Sequence, residues 1–253
     1  MKSLNSYHLK WIAIIGMFLN HAAIVLREVL PFGFQFPMYA VGGVTFPIMA
    51  FLLVEGYRHT SNIKNYLLRI FIFGLIAQYP HTLAFGTFSP NIMFTLFLGL
   101  ILLLLYDKMT KRWVFWLIFA FSLIIAIFFE WGFIGIIMIL MLRTITKENN
   151  RRIWPAITAG IYNFVLAVLV LGALALLSIV PEAEKFMEEI TYLTGGVRAM
   201  LPSLTFFIGC FLAALLLRKY NGQRGKSMKY FFYIFYPLHF IILAILAAAF
   251  GVL

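Results

Sequence analysis

Nine apolar stretches, each near the length that crosses a bilayer, dominate this sequence. A helix needs roughly 20 residues to cross a hydrocarbon core about 30 Å thick. Of the 253 residues, 63% are hydrophobic and 11% are charged, unlike a soluble domain. The stretches do not alternate apolar and polar residues as barrel strands do. The sequence therefore predicts an all-α, polytopic membrane helix bundle in one domain (1–253), with about nine transmembrane helices (eight to ten). The stretches lie near 9–29, 39–57, 64–83, 91–106, 112–129, 131–145, 155–180, 197–218 and 229–251.

The basic residues predict the orientation of these helices. When the 20 Lys and Arg residues are assigned to alternate sides, 17 fall on one side, and only Arg27, Lys185 and Arg198 fall on the other. The positive-inside rule then predicts a cytoplasmic N-terminus and a C-terminus outside. The net charge of +11 describes loops that face anionic lipid and requires no nucleic acid as a partner. Alternatively, some of these loops bind a phosphorylated cytoplasmic ligand.

Two histidines lie at membrane depth, where polar groups are costly and usually functional. At about 1.5 Å per residue, His21 in "FLNHAAIVL" lies about 18 Å from the cytoplasmic end of its helix, and His239 in "FYIFYPLHF" lies about 15 Å from the same side. We expect the two imidazoles to meet inside the bundle. The alternative is that each only bonds a neighbouring carbonyl. Asn20 precedes His21, and neighbouring helical residues point about 100° apart, so Asn20 faces elsewhere.

A second polar group ends the second stretch and begins the third, in "VEGYRHTSNIKNYLLRI". Glu55 and Arg69 lie inside apolar stretches, so each needs a partner. One interpretation is a structural ion pair between Glu55 and Arg69. The other is that Arg58, Lys64 and Arg69 bind phosphates, because guanidinium groups match phosphate oxygens with two parallel hydrogen bonds.

A third polar set is predicted at the outer ends of the helices: His81, Asn91 and Glu130. Singly, His81 and Asn91 are typical of interfacial polar residues. Glu130 differs, since it is the only charge in the turn between two apolar stretches. No CxxC or HExxH pattern is present, so the sequence gives no support for a bound metal.

The order of the motifs along the chain resembles the TraX family, named for a conjugation protein that acetylates the amino terminus of pilin. The opening "LKWIAIIGMFLNHA" is also similar to the start of the wider acyltransferase type three superfamily. The other motifs are "EGYRHTSNIKNYLLRIFIFGLIAQYPHTLAFG", "NIMFTLFLGL", an acidic-Trp-Gly turn and "KYFFYIFYPLHF".

The resemblance implies roles for individual residues. His21 matches the catalytic histidine of the superfamily. Arg58 and Arg69 fall where relatives carry arginines, but without the strict RxxxR spacing. The family often has Asp at the position of Asn20, so a carboxylate that orients His21 would have to be Glu130 or Glu55. The resemblance also implies a multi-pass protein of a bacterial cell membrane.

The resemblance and the residues together suggest acyl transfer. Acetyl-CoA from the cytosol would be the acyl donor, with no metal, and a peptide, glycan or lipid amine or hydroxyl would be the acceptor. His21 would act as a general base or be acetylated itself. The rival functions are a proton- or ion-coupled transporter and an inert scaffold. The site residues expected for acyl transfer are His21, Glu130, His239 and Tyr236 for catalysis, Arg58, Lys64, Arg69 and Tyr233 for acetyl-CoA, and Asn20, His81 and Asn91 for the acceptor.

Overall fold

The protein is all-α, as predicted. The structure is a computed structural model that describes residues 3–177 and 197–252, of which 197–203 and 229 are described in backbone only. Within these residues the one β-type feature is a single backbone bridge between Leu4 and Tyr220. The helices are α1 (Ser6–Val25), α2 (Phe32–Gly42), α3 (Thr45–His59), α4 (Ile63–Phe85), α5 (Ile92–Lys108), α6 (Arg112–Ala126), α7 (Gly132–Thr144), α8 (Glu148–Leu177), α9 (Val197–Arg218) and α10 (Lys229–Ala249).

The helices follow the predicted stretches, with two larger differences. Helix α8 begins at Glu148, before the predicted 155. The second stretch was predicted to begin near residue 39, but helix begins at Phe32 and is interrupted after Gly42. Gln35, flanked by Gly33 and Pro37, resembles a loop in sequence, yet its buried amide donates to the carbonyls of Arg27 (2.8 Å) and Leu30 (2.7 Å). These two hydrogen bonds stabilise the first turn of α2.

Five helical stretches in the described residues are long and apolar enough to cross a bilayer. They are α1, α2 with α3, α4, α8 and most of α10. The number of crossings and the cytoplasmic N-terminus stay predictions. The segment 178–196, with Lys185, lies outside the described residues, as do Lys2 and the side chains of Arg198 and Lys229.

Helices α6 and α7 are short, and this determines the depth of the turn that joins them. They contain 15 and 13 residues, so they are about 22 and 20 Å long. A hydrocarbon core is about 30 Å thick. The turn with Glu130 therefore lies below the surface of the bundle, about level with the outer part of α1.

One end of the bundle collects the loops that were predicted to share a face. Arg152 donates to the carbonyl oxygen of Tyr220 (2.7 Å), and the Tyr220 hydroxyl lies 3.0 Å from that of Ser6. Arg143 and Asp107 form an ion pair of 2.8 Å between the ends of α7 and α5. We call this the basic end, and the opposite one, with Arg27 and Gln35, the outer end.

The N-terminal residues connect α1 to the loop that precedes α10. Leu4 N–H donates to the carbonyl of Lys219, and Asn221 N–H donates to the carbonyl of Leu4, each at 2.9 Å. Ser6 N–H donates to the carbonyl of Gln223, also at 2.9 Å. Three backbone hydrogen bonds thus hold the start of α1 against this loop.

Candidate active site

Four ionisable side chains from distant parts of the chain meet inside the bundle, and we call them the histidine–glutamate cluster. They are His21 of α1, His81 of α4, His239 of α10 and Glu130 of the turn between α6 and α7. His21 Nδ1 lies 2.8 Å from His239 Nε2. His21 Nε2 lies 3.7 Å from Glu130 Oε1, and His81 Nε2 lies 3.8 Å from Glu130 Oε2. Each carboxylate oxygen therefore faces one imidazole.

Phenylalanine rings surround the imidazoles. The ring centroid of buried Phe240 lies 4.8 Å from that of His21, 5.0 Å from that of His81 and 4.0 Å from that of His239. Phe85 adds contacts to His21 and His81 at 5.6 and 4.7 Å. All three imidazoles are buried, whereas the Glu130 side chain is 27% exposed. Glu130 is thus the least buried member of the cluster.

Glu130 is held in place by the start of α5. Its Oε2 accepts a hydrogen bond of 3.0 Å from Ile92 N–H, in the first turn of that helix. Its backbone N–H donates to the carbonyl of Pro90, and its carbonyl accepts from the Thr95 hydroxyl. A helix N-terminus carries partial positive charge, so this position stabilises an ionised carboxylate.

The turn that carries Glu130 has an unusual backbone. Trp131 has a φ of +66° and Gly132 a φ of +47°. Positive φ is costly for a bulky residue and mild for glycine. The cost of the positive φ at Trp131 is offset by stacking of its indole on Phe46 (4.5 Å between centroids) and Phe206 (5.6 Å). The sequence "EWG" thus encodes a tight turn whose indole anchors it in the core.

His239 and Tyr236, two of the residues expected to take part in catalysis, lie side by side on α10. Both ring nitrogens of His239 are engaged, since Nδ1 lies 3.2 Å from the carbonyl oxygen of Phe235 and Nε2 faces His21. His239 therefore has no donor left for an oxyanion. The fully buried Tyr236 packs against His239, with 5.5 Å between centroids. Its hydroxyl has no hydrogen-bond partner within the described part of the chain.

The two asparagines lie apart from the imidazoles. Asn20 packs against Gly42 so closely that a Cβ there would lie 2.4 Å from the Asn20 Cβ. Asn91 caps α5, because its Oδ1 accepts from Met93 N–H, and its amide donates to Gly74 O and Gln78 Oε1, both at 2.9 Å. Its amide is fully used within the protein, which gives Asn91 a structural role in place of the predicted contact with the acceptor.

The predicted ion pair between Glu55 and Arg69 is wrong. Glu55 Oε1 instead contacts Arg151 of α8 at 2.9 Å and Arg58 at 3.6 Å. Arg69 makes no salt bridge to any described residue. Its guanidinium lies over the Tyr66 ring (5.7 Å to the centroid) and close to Tyr233.

Sequence reasoning missed the network around Arg151, which it counted only as a loop charge. The residue is 1% exposed. Its guanidinium contacts Glu148 at 2.7 Å as well as Glu55, and it lies over the Phe51 ring. We call Glu55, Arg58, Glu148, Arg151 and Arg152 the arginine–glutamate network. The signal available in the sequence was Glu55, a carboxylate inside an apolar stretch.

The three predicted phosphate-binding residues do not form one site. Arg58 faces the arginine–glutamate network, Arg69 faces α10, and Lys64 is exposed. Arg58 does border a cavity of about 440 Å³ at the basic end. The lining residues are Tyr57, Arg58, Thr60, Ile63, Leu104, Asp107 and Arg143. Within this lining, Arg143 forms an ion pair with Asp107, and the Tyr57 hydroxyl donates to the same carboxylate. Arg58 is the other cation of the lining, and it is not paired with Asp107.

Among the described residues, no group of three or more His, Cys, Asp or Glu side chains is arranged to hold a metal ion. In the histidine–glutamate cluster the imidazole nitrogens face a carboxylate or each other.

Comparison with known proteins shows similarity to one family over nearly the whole chain. Residues 5–247 match the family described as TraX protein. The protein named "Probable fimbrial assembly protein FimC, serogroup H1" from Dichelobacter nodosus is 30% identical over 257 residues, which cover 94% of each chain. No solved structure matches the chain.

Proposed function

Because this chain belongs to the TraX family, we propose that it is a membrane-embedded acyltransferase. It moves an acetyl group from cytosolic acetyl-CoA to an amine or hydroxyl outside the cytoplasm or in the membrane. The D. nodosus relative is named for fimbrial assembly, so the N-terminal amine of a pilin-like peptide is the first acceptor to test. A cell-envelope glycan or lipid is the second.

The observation that carries this proposal is the histidine–glutamate cluster. Buried ionisable groups cost free energy and are retained in membrane proteins chiefly where they act. Here two imidazoles face one partly exposed carboxylate, and a third imidazole is hydrogen-bonded to one of them. A general base must lie within hydrogen-bond reach of the proton that it takes, and imidazole is the side chain most often used.

The reaction assigned to the cluster is a simple acyl transfer. The acceptor nitrogen or oxygen attacks the thioester carbonyl, and His21 takes the proton that the acceptor loses. The new C–N or C–O bond forms as the C–S bond breaks, and His21 returns the proton to the departing thiolate to give free CoA. The unpartnered Tyr236 hydroxyl beside His239 is the best-placed donor for the oxyanion.

Residues along α4 and α10 support the entry of acetyl-CoA, the acyl donor, from the basic end. Arg69 lies near Tyr233, and Tyr233 stacks on Phe73 (4.8 Å between centroids). From Tyr233 to His239 is six residues, or about 9 Å along α10. Arg69 would hold a phosphate of acetyl-CoA while the thioester reaches along α10 to His21.

Acyl transfer is tested with purified protein in lipid nanodiscs and radiolabelled acetyl-CoA. CoA thiol release and label transfer to a pilin-like peptide, to water or to the protein itself are measured. We expect activity in the wild type and its loss in His21→Gln, which keeps a polar side chain without a usable base. The matched control is His8→Gln, because Gln at this position preserves the capping box of α1. Equal activity in His21→Gln and the control would overturn the assignment.

A coupled transporter is the alternative, and the interruption between α2 and α3 favours it, because transporters often use broken helices. In those proteins the broken ends face the substrate. Here Gly43 packs against α9, where an added Cβ would lie 3.0 Å from the Gly209 Cα. The test measures proton uptake into proteoliposomes with a pH-sensitive dye. Uptake that depends on His21, in a protein without acyl transfer, would favour the transporter over the enzyme.

A further inference from the structure

The hydrogen bonds of His239 determine where its own proton lies. A carbonyl oxygen can only accept, so the contact of 3.2 Å between His239 Nδ1 and Phe235 O requires the proton on Nδ1. In a neutral imidazole the other nitrogen is then an acceptor. His239 Nε2 therefore presents a lone pair to His21.

This lone pair in turn determines the state of His21. Nδ1 of His21 lies 2.8 Å from His239 Nε2 and must donate to it. A neutral His21 with its proton on Nδ1 has an unprotonated Nε2. That atom faces Glu130 Oε1 at 3.7 Å.

We propose that His239 is a positioning residue that fixes the tautomer of His21, so that Nε2 of His21 is the basic atom. The order of groups is Phe235 carbonyl, His239, His21 and then the acceptor substrate. The hydrogen bonds place one proton of His21 on Nδ1, and Nε2 is then unprotonated in the neutral ring that we propose. The catalytic meaning of this tautomer rests on the proposed function.

The rest of the cluster makes this positioning necessary. Without His239, the carboxylate of Glu130 is the nearest charged acceptor and would draw the His21 proton to Nε2. That tautomer has no lone pair facing the acceptor substrate. His81 lies across Glu130 at 3.8 Å and competes for the same carboxylate, and Tyr236 packs against His239 and lies near Glu130 and the Ile92 N–H. None of these groups presents an acceptor to His21 Nδ1 in the structure.

The tautomer is read directly by nitrogen NMR of protein labelled in its histidines and held in nanodiscs. The chain has five histidines, so the His21 signals are assigned by their loss in His21→Gln. We expect a protonated Nδ1 and an unprotonated Nε2 in the wild type. In His239→Phe, which keeps an aromatic ring between Phe235 and Phe240, we expect the proton on Nε2.

Activity separates positioning from packing. His239→Phe should lower kcat by about 10²- to 10⁴-fold, the usual contribution of a general base, with KM for acetyl-CoA unchanged. His239→Gln keeps an acceptor that reaches the same depth, so it should retain the wild-type tautomer and most of the activity. Equal loss in both variants would overturn the positioning role.

The two proposals fail in different ways. A wild-type His21 with its proton on Nε2 overturns the tautomer inference, whatever the activity. The expected tautomer in a protein that transfers no acetyl group refutes the acyltransferase and leaves the inference standing.

Discussion

Two buried polar groups, one at each end of the bundle, are built in opposite ways. In the arginine–glutamate network, Arg151 contacts two carboxylates at 2.9 and 2.7 Å. In the histidine–glutamate cluster, one carboxylate faces two imidazoles at 3.7 and 3.8 Å. The first set has opposite charges in direct contact, whereas the second separates the carboxylate from the two imidazoles by a longer gap.

We interpret this difference as that between a structural site and the proposed reactive one. A buried ion pair is tolerated when its charges and hydrogen bonds are satisfied within the protein. Basic atoms that are not paired in this way are complementary to a molecule with a proton to give. We therefore expect substitutions in the network to change stability and substitutions in the cluster to change rate.

The largest effect is expected from His21→Ala. Loss of the base should lower the transfer rate by about 10²- to 10⁴-fold. The unfolding temperature and the binding of acetyl-CoA should change little, because a base stabilises the transition state more than bound substrate. Rates and thermal unfolding are measured on the same preparation. A large fall in unfolding temperature would place His21 with the structural group instead.

Arg151→Ala should give the opposite pattern. Removal of one partner leaves Glu55 buried without its closest cation, which costs about 3–5 kcal/mol of unfolding free energy. The double variant Arg151→Met with Glu55→Leu should recover much of this loss, because neither charge remains. Thermal unfolding in detergent provides the measurement. A double variant as unstable as Arg151→Ala would contradict the ion-pair explanation.

Glu130→Gln tests whether the carboxylate acts by its charge. The amide oxygen can still accept from Ile92 N–H, so the turn should persist. Loss of a hydrogen bond to a charged group costs about 1.5–3 kcal/mol, and we expect a comparable loss of transition-state stabilisation, seen in kcat/KM. The control is Glu28→Gln, an exposed glutamate at the same end whose loss should leave the rate unchanged.

Arg69→Ala should have the smallest effect. Arg69 is half-buried, so loss of a phosphate contact should cost about 1 kcal/mol, seen as a higher KM for acetyl-CoA and an unchanged KM for the acceptor. Lys111→Ala, an exposed change at the same end, serves as the control. An effect of Arg69→Ala on unfolding temperature alone would assign Arg69 to packing against Tyr66.

The features that the sequence predicts well are those that depend on the length of the helices. Counting residues from one face placed His21 and His239 at similar depths, and their nitrogens lie 2.8 Å apart. This works because α1 and α10 start from the same end of the bundle, where the Leu4 bridge connects them. The all-α fold was predicted for the same reason, since apolar length determines it.

The features that the sequence predicts less well are the contacts between side chains of different helices, which depend on how the helices pack. One interpretation paired Glu55 with Arg69 at the start of the next stretch, but its partner Arg151 lies 96 positions away. His81 was predicted at the outer ends of the helices, because the prediction did not take into account that α6 and α7 are short. That shortness brings Glu130 to the depth of the histidines, and His81 lies beside it. Charge and apolar length do not specify these neighbours, which side-chain packing determines.

The hydrogen bond between α1 and α10 joins two residues that are made at different times during synthesis. His21 and His239 are 218 positions apart. At a synthesis rate of about 5–20 residues per second, His21 is made roughly 10–40 s before its partner. During that interval the nascent chain lacks the group that we propose fixes its base. On the proposed function, an unfinished copy in the membrane would therefore not transfer acetyl groups, and insertion of α10 would complete the site.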